Sequence, residues 1–257
     1  MTLGIVIPTQ PGRELLLLNC FKSVLQCDPS QIVIVSPRPE NLKSLLPLDE
    51  RIIFVEDSGT GAAAAINLGL NRLTSTYAAW IGDDDQLIKT GIASSVSLLQ
   101  SDNAVMATYG DCRYKVENGG VALYKPGVSA AKTPGKVLNK IPQPGSIFRR
   151  LPTGEFPQLQ EKLKFVFDEQ LFIDLAKHGT LRYINEPVAT YLWHENSLSA
   201  GQRRGAIQEA VELRWRNSGP LSRAVFLIPW CVMLLDSIVP TKAYSRHLGK
   251  KRWIRES

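Results

Sequence analysis

The stretch "YAAWIGDDDQL" (77–87) closes an apolar run with three consecutive carboxylates, Asp83, Asp84 and Asp85, directly after Gly82. Adjacent negative charges repel, so such a cluster destabilises a fold unless a cation sits among them or water screens them. Carboxylate oxygens are the hard ligands that Mg²⁺ and Mn²⁺ prefer, and those ions also bind phosphate. A cation clamped between aspartates and a diphosphate neutralises both sides and stabilises the diphosphate as a leaving group. The chemistry expected here is metal-assisted handling of a pyrophosphate. A second motif competes with it. "VEDSGTGAAA" carries Gly59-x-Gly61-x-x-Ala64 between a strand and a helix, with Asp83 at about the spacing of a ribose-binding acid in a dinucleotide fold. That alternative puts the glycines after the third strand instead of the first, and it uses one acid where the sequence has three.

The elements that must position the triplet are legible as an α/β alternation. Short β-branched runs at "LGIVIPT" (3–9), "QIVIVS" (31–36) and "RIIFVED" (51–57), and the aromatic-rich apolar run "YAAWIG" (77–82), predict strands. "RELLLLNCFKSVLQ" (13–26) and "GAAAAINLGLNRLTS" (61–75) have helical spacing and separate them. Strands alternating with helices predict a parallel sheet with right-handed crossovers. Ligands of such sheets bind beyond the carboxyl ends of the strands, where Thr9, Ser36, Asp57 and the triplet converge.

From about residue 103 the texture changes. "AVMATYGDCRYKVENGGVALY" predicts a hairpin turning at Gly119-Gly120. Residues 125–145 hold four prolines and few large apolar groups, a loop long enough to serve as a lid. "FVFDEQLFIDLAKHG" (165–179) predicts a helix closed by Gly179. "TLRYINEPVATYLWH" predicts two short strands, and "RRGAIQEAVELRWRNSG" a further amphipathic helix.

At 257 residues the chain suffices for one large α/β domain. The division expected is 1–218 as the main domain, with 1–102 as its nucleotide-binding half and 103–218 as its acceptor half, followed by a helical tail over 219–257. Lys and Arg outnumber Asp and Glu by 30 to 24, a net charge of +6 that suits an anionic small molecule or an anionic membrane surface as well as nucleic acid, or simply a solvated surface; no nucleic-acid partner is expected from the motifs. Cys20, Cys27, Cys112 and Cys231 form no CxxC pair, so reduced thiols in a cytoplasmic protein are expected. No secretory signal is read at the N-terminus. The uncharged run "AVFLIPWCVMLL" (224–235) is shorter than the roughly 20 residues a membrane span needs. With Trp230, Trp253 and the basic residues Lys242, Arg246, Lys250, Lys251, Arg252 and Arg255, it suits an element lying on the anionic inner face of a membrane. The alternative is a helix packed on the domain with a solvated basic tail.

"IVIPT", "GAAAAINLGL" and "WIGDDDQL" together resemble glycosyltransferase family 2 on the GT-A fold, over roughly residues 3–200. The resemblance implies a Rossmann-like, mostly parallel sheet flanked by helices, and an inverting enzyme using Mn²⁺ or Mg²⁺. It would move a sugar from a nucleotide diphosphate sugar to a glycan or lipid-linked acceptor. The residues expected on the donor are Pro8, Thr9, Ser36, Asp57, Gly61, Asn67, Asp83, Asp84 and Arg203, with Arg204 also near the phosphates. Asp83, Asp84 and Asp85 supply the DxD function, and two overlapping registers leave open which one holds the metal. "FVFDEQLFIDLAKHG" resembles the helix bearing the family's base, with Glu169 in that role and Asp168 as the alternative. A carboxylate there would take the proton of an acceptor hydroxyl as it attacks. Without the resemblance, the acidic pair is explained by the dipole of a helix N-terminus alone. "YLWHENSLSA" resembles a later family segment and puts His194 near the metal or diphosphate. "QPGSIFRR" (143–150) is expected on the acceptor side.

Two departures bear on the nucleobase. Ser36 stands where the family usually has an acid, with Asp57 as candidate substitute, and Ile66 stands where an Arg is common. The alternatives are therefore a catalytically inactive nucleotide-sugar-binding protein and, further off, a sugar nucleotidyltransferase. The latter would need a Gly-rich basic loop after the first strand, where "PTQPGREL" offers only Gly12 and Arg13.

Overall fold

The computed structural model describes residues 2–116, 120–132, 141–193, 203–217 and 253–256. Its first half is the expected alternation: β1 (Leu3–Pro8), α1 (Glu14–Gln26), β2 (Gln31–Ser36), a single turn α2 (Glu40–Lys43), β3 (Ile52–Glu56), α3 (Ala62–Leu70) and β4 (Tyr77–Trp80). β1 pairs in parallel with β2 and β4, and β2 with β3. Side chains alternate across these strands. Ile5 and Ile7 of β1 enter one layer with Leu17, Phe21 and Val24 of α1. Val6, between them, enters the opposite layer with Ile66 and Leu70 of α3. β1, β2 and β4 are buried on both faces, as parallel strands covered by helices require, while β3, at the sheet edge, is only partly buried.

The second half consists of β5 (Gln86–Leu87), α4 (Lys89–Ser101), β6 (Val105–Val116), β7 (Val121–Tyr124), α5 (Ser129–Lys132), β8 (Ile147–Arg149), α6 (Phe167–Leu175), β9 (Thr180–Trp193), α7 (Arg203–Asn217) and β10 (Trp253–Glu256). β8 lies antiparallel between β4 and β6 and joins the halves into one sheet. β6 and β7 form the expected antiparallel pair; its turn residues 117–119 fall outside the described chain.

Three expectations are revised. Residues 180–193 form one long strand instead of two, running along β6 with register shifts near Asp111 that take up Pro187. The loop at 125–145 contains the short helix α5. The tail expected to be helical ends in β10, which adds antiparallel to β7; residues 219–252, including the apolar run and most of the basic cluster, lie outside the described residues. No helix among the described residues is long and apolar enough to cross a membrane. Cys20, Cys27 and Cys112 are free thiols; Cys231 lies outside the described residues.

Candidate active site

The carboxyl ends of β1 to β4 meet at one rim. The Thr9 N–H donates to Val35 O at 2.8 Å, the Asp57 N–H to Ser36 O at 3.0 Å, and the Ile81 N–H to Val6 O at 3.0 Å. These bonds carry the parallel pairing to the last residue of each strand. They bring Pro8, Thr9, Ser36, Asp57 and the triplet to the same edge.

The cation among the three aspartates is Arg13. Its Nε donates to Asp83 Oδ1 and Oδ2 at 2.9 and 2.8 Å, and its Nη2 to Asp83 Oδ1 at 2.6 Å and to Asp84 Oδ2 at 2.8 Å. Gly12, at φ +87°, turns the chain between β1 and α1. The Gly12 N–H donates to Glu14 Oε1 at 2.9 Å. The Thr9 hydroxyl completes the shell by donating to Asp83 Oδ2 at 2.7 Å. Charge-assisted bonds of this fork geometry are the strong kind. The Asp83 contacts push the Arg13 guanidinium further up than its already high ordinary value, against the opposing effect of burial.

Asp85 turns the other way. Its Oδ1 accepts the Leu192 N–H at 3.0 Å, and only 4% of the residue is exposed. Burial first, and the charge of Asp84 second, push this carboxyl well above the usual range, while the Leu192 bond acts against them. The same enclosure pushes up the buried Cys20 thiol, through burial and then through Asp85. β5 delivers the contact: Gln86 and Leu87 pair with Thr190 and Ala189, drawing the end of β9 against the triplet. His194 follows directly on Trp193 and lies outside the described residues.

The acidic pair sits at the start of α6, both members buried. Glu169 accepts from Arg214 of α7 through both oxygens, Nε to Oε1 and Nη2 to Oε2, each at 3.0 Å. Asp168 Oδ1 accepts the Glu169 N–H at 2.8 Å. The segment 143–149 lies beside β4, with Gln143 Nε2 donating to Trp80 O at 2.9 Å, just before the triplet.

The other expected donor residues divide. Ser36 is buried at the end of β2, its Oγ accepting the Arg38 N–H at 3.3 Å. Asp57 Oδ1 accepts the Gly59 N–H at 3.0 Å, and Gly61 opens α3. Asn67 faces away toward the chain at 159–161: its Oδ1 accepts the Leu159 N–H at 2.7 Å and its Nδ2 donates to Leu159 O at 3.0 Å. Arg203 begins α7. Neither Arg13 nor Arg214 is marked as a site residue by the sequence; the one available signal is that each is a basic residue on an element flanking the acids.

Among the described residues no three His, Cys, Asp or Glu side chains are grouped to hold a metal ion by themselves. The hard oxygens of the triplet fit a cation of the Mg²⁺ or Mn²⁺ type when phosphate oxygens complete its shell.

The family model described as Glycosyl transferase family 2 matches residues 4–149, from β1 through the triplet to β8. Solved structures with the same architecture include S. aureus TarS 1-349 in complex with UDP, 14% identical with a TM-score of 0.57, covering 98% of this chain and 76% of that one. S. aureus TarS 1-349 in complex with UDP-GlcNAc is 15% identical with a TM-score of 0.58, covering 83% of this chain and 65% of that one. Against the structure titled S. aureus TarS the identity is 14% and the TM-score 0.55, and this chain spans 39% of its length. A search among curated proteins gave no match. At these identities the structural likeness establishes the GT-A fold, and the family match over more than half of the sequence establishes kinship: the chain belongs to glycosyltransferase family 2.

Proposed function

We propose that the chain is an inverting, metal-dependent glycosyltransferase that moves a sugar from a nucleoside diphosphate sugar to an acceptor hydroxyl. The observation that carries this reading is the Thr9–Asp83–Arg13–Asp84 cluster at the carboxyl end of the parallel strands, a charged rim where an open α/β sheet takes its ligand. The UDP and UDP-GlcNAc complexes of TarS make uridine diphosphate sugars the first donors to test.

In this reading Pro8, Thr9, Ser36, Asp57 and Gly61 flank the nucleoside, and Asp83 faces its ribose. Carboxylates of Asp83, Asp84 and Asp85, with His194, would hold Mn²⁺ or Mg²⁺. Such an ion, when bound, neutralises the diphosphate and stabilises it as leaving group. Arg13 swings from the aspartates toward the phosphates once their charge competes for it. Asp168 accepts the proton of the acceptor hydroxyl as that oxygen bonds to the anomeric carbon. The bond from that carbon to the diphosphate breaks, its electron pair leaves with the diphosphate, and attack from the opposite face inverts the configuration. Glu169, the residue first expected as base, accepts from Arg214 through both oxygens, and this pairing supports its neighbour Asp168 in that role. The acceptor class proposed is a glycan or a lipid-linked intermediate, with peripheral contact to an anionic membrane through residues 219–257. The apolar run at 224–235 and the basic residues after it support this.

A thermal-shift screen of nucleotide sugars with and without Mn²⁺ tests the reading. A ligand at 100 times its Kd stabilises the native state by about 2.7 kcal/mol, which in a domain of this size raises Tm by roughly 5–10 °C. The expected result is such a rise with one nucleotide sugar, dependent on the cation. No shift with any sugar nucleotide, with or without Mn²⁺, overturns the proposal.

A further inference from the structure

α6 begins without a side-chain cap of its own, because its N-cap residue is Val166. The work is done from α7, an element beyond the matched family region. Glu209 accepts three backbone N–H groups in a row: Lys164 at 2.9 Å on Oε1, and Phe165 at 2.6 Å and Val166 at 3.0 Å on Oε2. One and a half turns further along α7, Arg214 forks onto Glu169, and both side chains are about nine-tenths buried. At the start of α7, Gly205 lies so near the Phe165 ring that a Cβ there would stand 3.1 Å from Cε2. Ala210 and Leu213, between the two charged anchors, enter the same core as Phe167, Leu171 and Phe172 of α6. One helix therefore grips residues 164, 165, 166 and 169, leaving Asp168 inside the gripped segment.

This arrangement exceeds what docking a surface helix requires. An amphipathic helix can be held by its apolar stripe alone. Burying the Arg214–Glu169 pair is unfavourable unless both members are fully bonded, and the half-buried Glu209 gives up part of its hydration as well. Here Glu209 takes the N–H groups that no strand or helix uses, and Arg214 takes the carboxylate adjacent to Asp168. We infer that Glu209 and Arg214 are positioning residues for the acceptor-side carboxylate: α7 fixes the backbone on both sides of Asp168 and draws Glu169 away, so that a single carboxylate addresses the acceptor. The inference rests on the glycosyltransferase reading. Placement errors of about 1 Å at a reacting group lower turnover by roughly 10²-fold, and the grip from α7 prevents an error of that size.

The test uses the full chain with the nucleotide sugar and acceptor that wild type turns over, and compares Glu209→Ala, Glu209→Gln and the double variant Glu169→Met/Arg214→Met. Donor affinity by calorimetry is expected within about twofold of wild type in the Glu209 variants, while kcat falls roughly 10–100-fold in Glu209→Ala. Glu209→Gln, which keeps one acceptor oxygen, recovers part of the loss. Helix docking in a merely structural role would move stability without separating kcat from donor affinity. The double variant removes both buried charges together and leaves none unpaired, so it remains folded if Glu209→Ala does not; a kcat reduced with donor affinity intact is expected there too. Wild-type kcat in a folded Glu209→Ala protein, or in the double variant, overturns the inference. A wild-type protein that neither binds nor turns over any nucleotide sugar would instead overturn the functional reading on which it rests.

Discussion

Replacing Arg13 with Met leaves a side chain of similar length and removes the guanidinium that Asp83 and Asp84 share. Four hydrogen bonds of 2.6–2.9 Å are lost, and Asp83, 4% exposed, keeps the Thr9 hydroxyl. Breaking a buried ion pair by removing one partner costs about 3–5 kcal/mol. The Arg13 side chain is 28% exposed, so water screens part of the interaction and the expectation falls to about 2–3 kcal/mol. In a domain of this size that lowers Tm by roughly 5–10 °C. The next step separates a cation site from an ordinary salt bridge. If the aspartates are placed to receive a divalent ion, Mn²⁺ takes over the role of the lost guanidinium, and at 100 times its Kd it returns about 2.7 kcal/mol. Scanning fluorimetry with 0 to several mM Mn²⁺ should show Arg13→Met stabilised far more than wild type, where Arg13 competes for the same oxygens. An Arg13→Met protein as stable as wild type, or equal Mn²⁺ shifts in both, refutes the reasoning.

Other outcomes follow from the same geometry. Asp168→Asn should lower kcat by about 10²–10⁴-fold, the range for loss of a general base, with donor affinity unchanged by calorimetry. A comparable loss in Glu169→Gln with Asp168→Asn fully active would move the base to Glu169. Asp85 is held well above the usual carboxylate range by burial and by Asp84, so the folded state binds its proton more tightly than the unfolded chain does. Its stabilising contribution is complete below the ordinary aspartate value and is lost as pH rises toward the raised one. Asp85→Asn, which keeps an acceptor for the Leu192 N–H, should therefore gain on wild type in Tm as metal-free samples are taken from pH 4 to 8; a difference that stays constant with pH contradicts this. Asn67→Ala should destabilise by about 2–3 kcal/mol in urea titrations, because it strands the buried Leu159 N–H and C=O. Its donor affinity should stay near wild type, and a selective loss of donor binding would return Asn67 to the donor site.

The parallel half of the fold was legible because its signals are local. Apolar runs of four to six residues rich in β-branched or aromatic side chains, ended by Pro8, Pro37 or Gly82, bury both faces as central strands. The rim position of the triplet followed from that. What the sequence withheld was partnership across distance. Arg13 stands 70 residues from Asp83, and nothing near it signals that the Gly12 turn aims it back across β4. Arg214 stands 45 residues from Glu169, on a helix whose apolar spacing marks a buried face but not its partner. Local spacing therefore could not divide the roles of Asp168 and Glu169, which depend on α7. The 14-residue β9 read as two strands because Pro187 interrupts the run, and the shifted pairing with β6 accommodates it. α4 carries four serines and a glycine in thirteen residues, a composition that hides the stripe formed by Ile92, Ser95 and Leu99.

The central claim is that the strand-end aspartates bind a nucleotide sugar through a divalent cation. Isothermal titration of wild type, Asp84→Ala and Asp85→Ala with a nucleotide sugar identified by the thermal-shift screen, in Mn²⁺ and in EDTA, measures it directly. The account predicts binding by wild type in Mn²⁺, at least tenfold weaker binding in EDTA, and a comparable loss in at least one of the two variants in Mn²⁺. Equal affinity in all three proteins, indifferent to the metal, would contradict it.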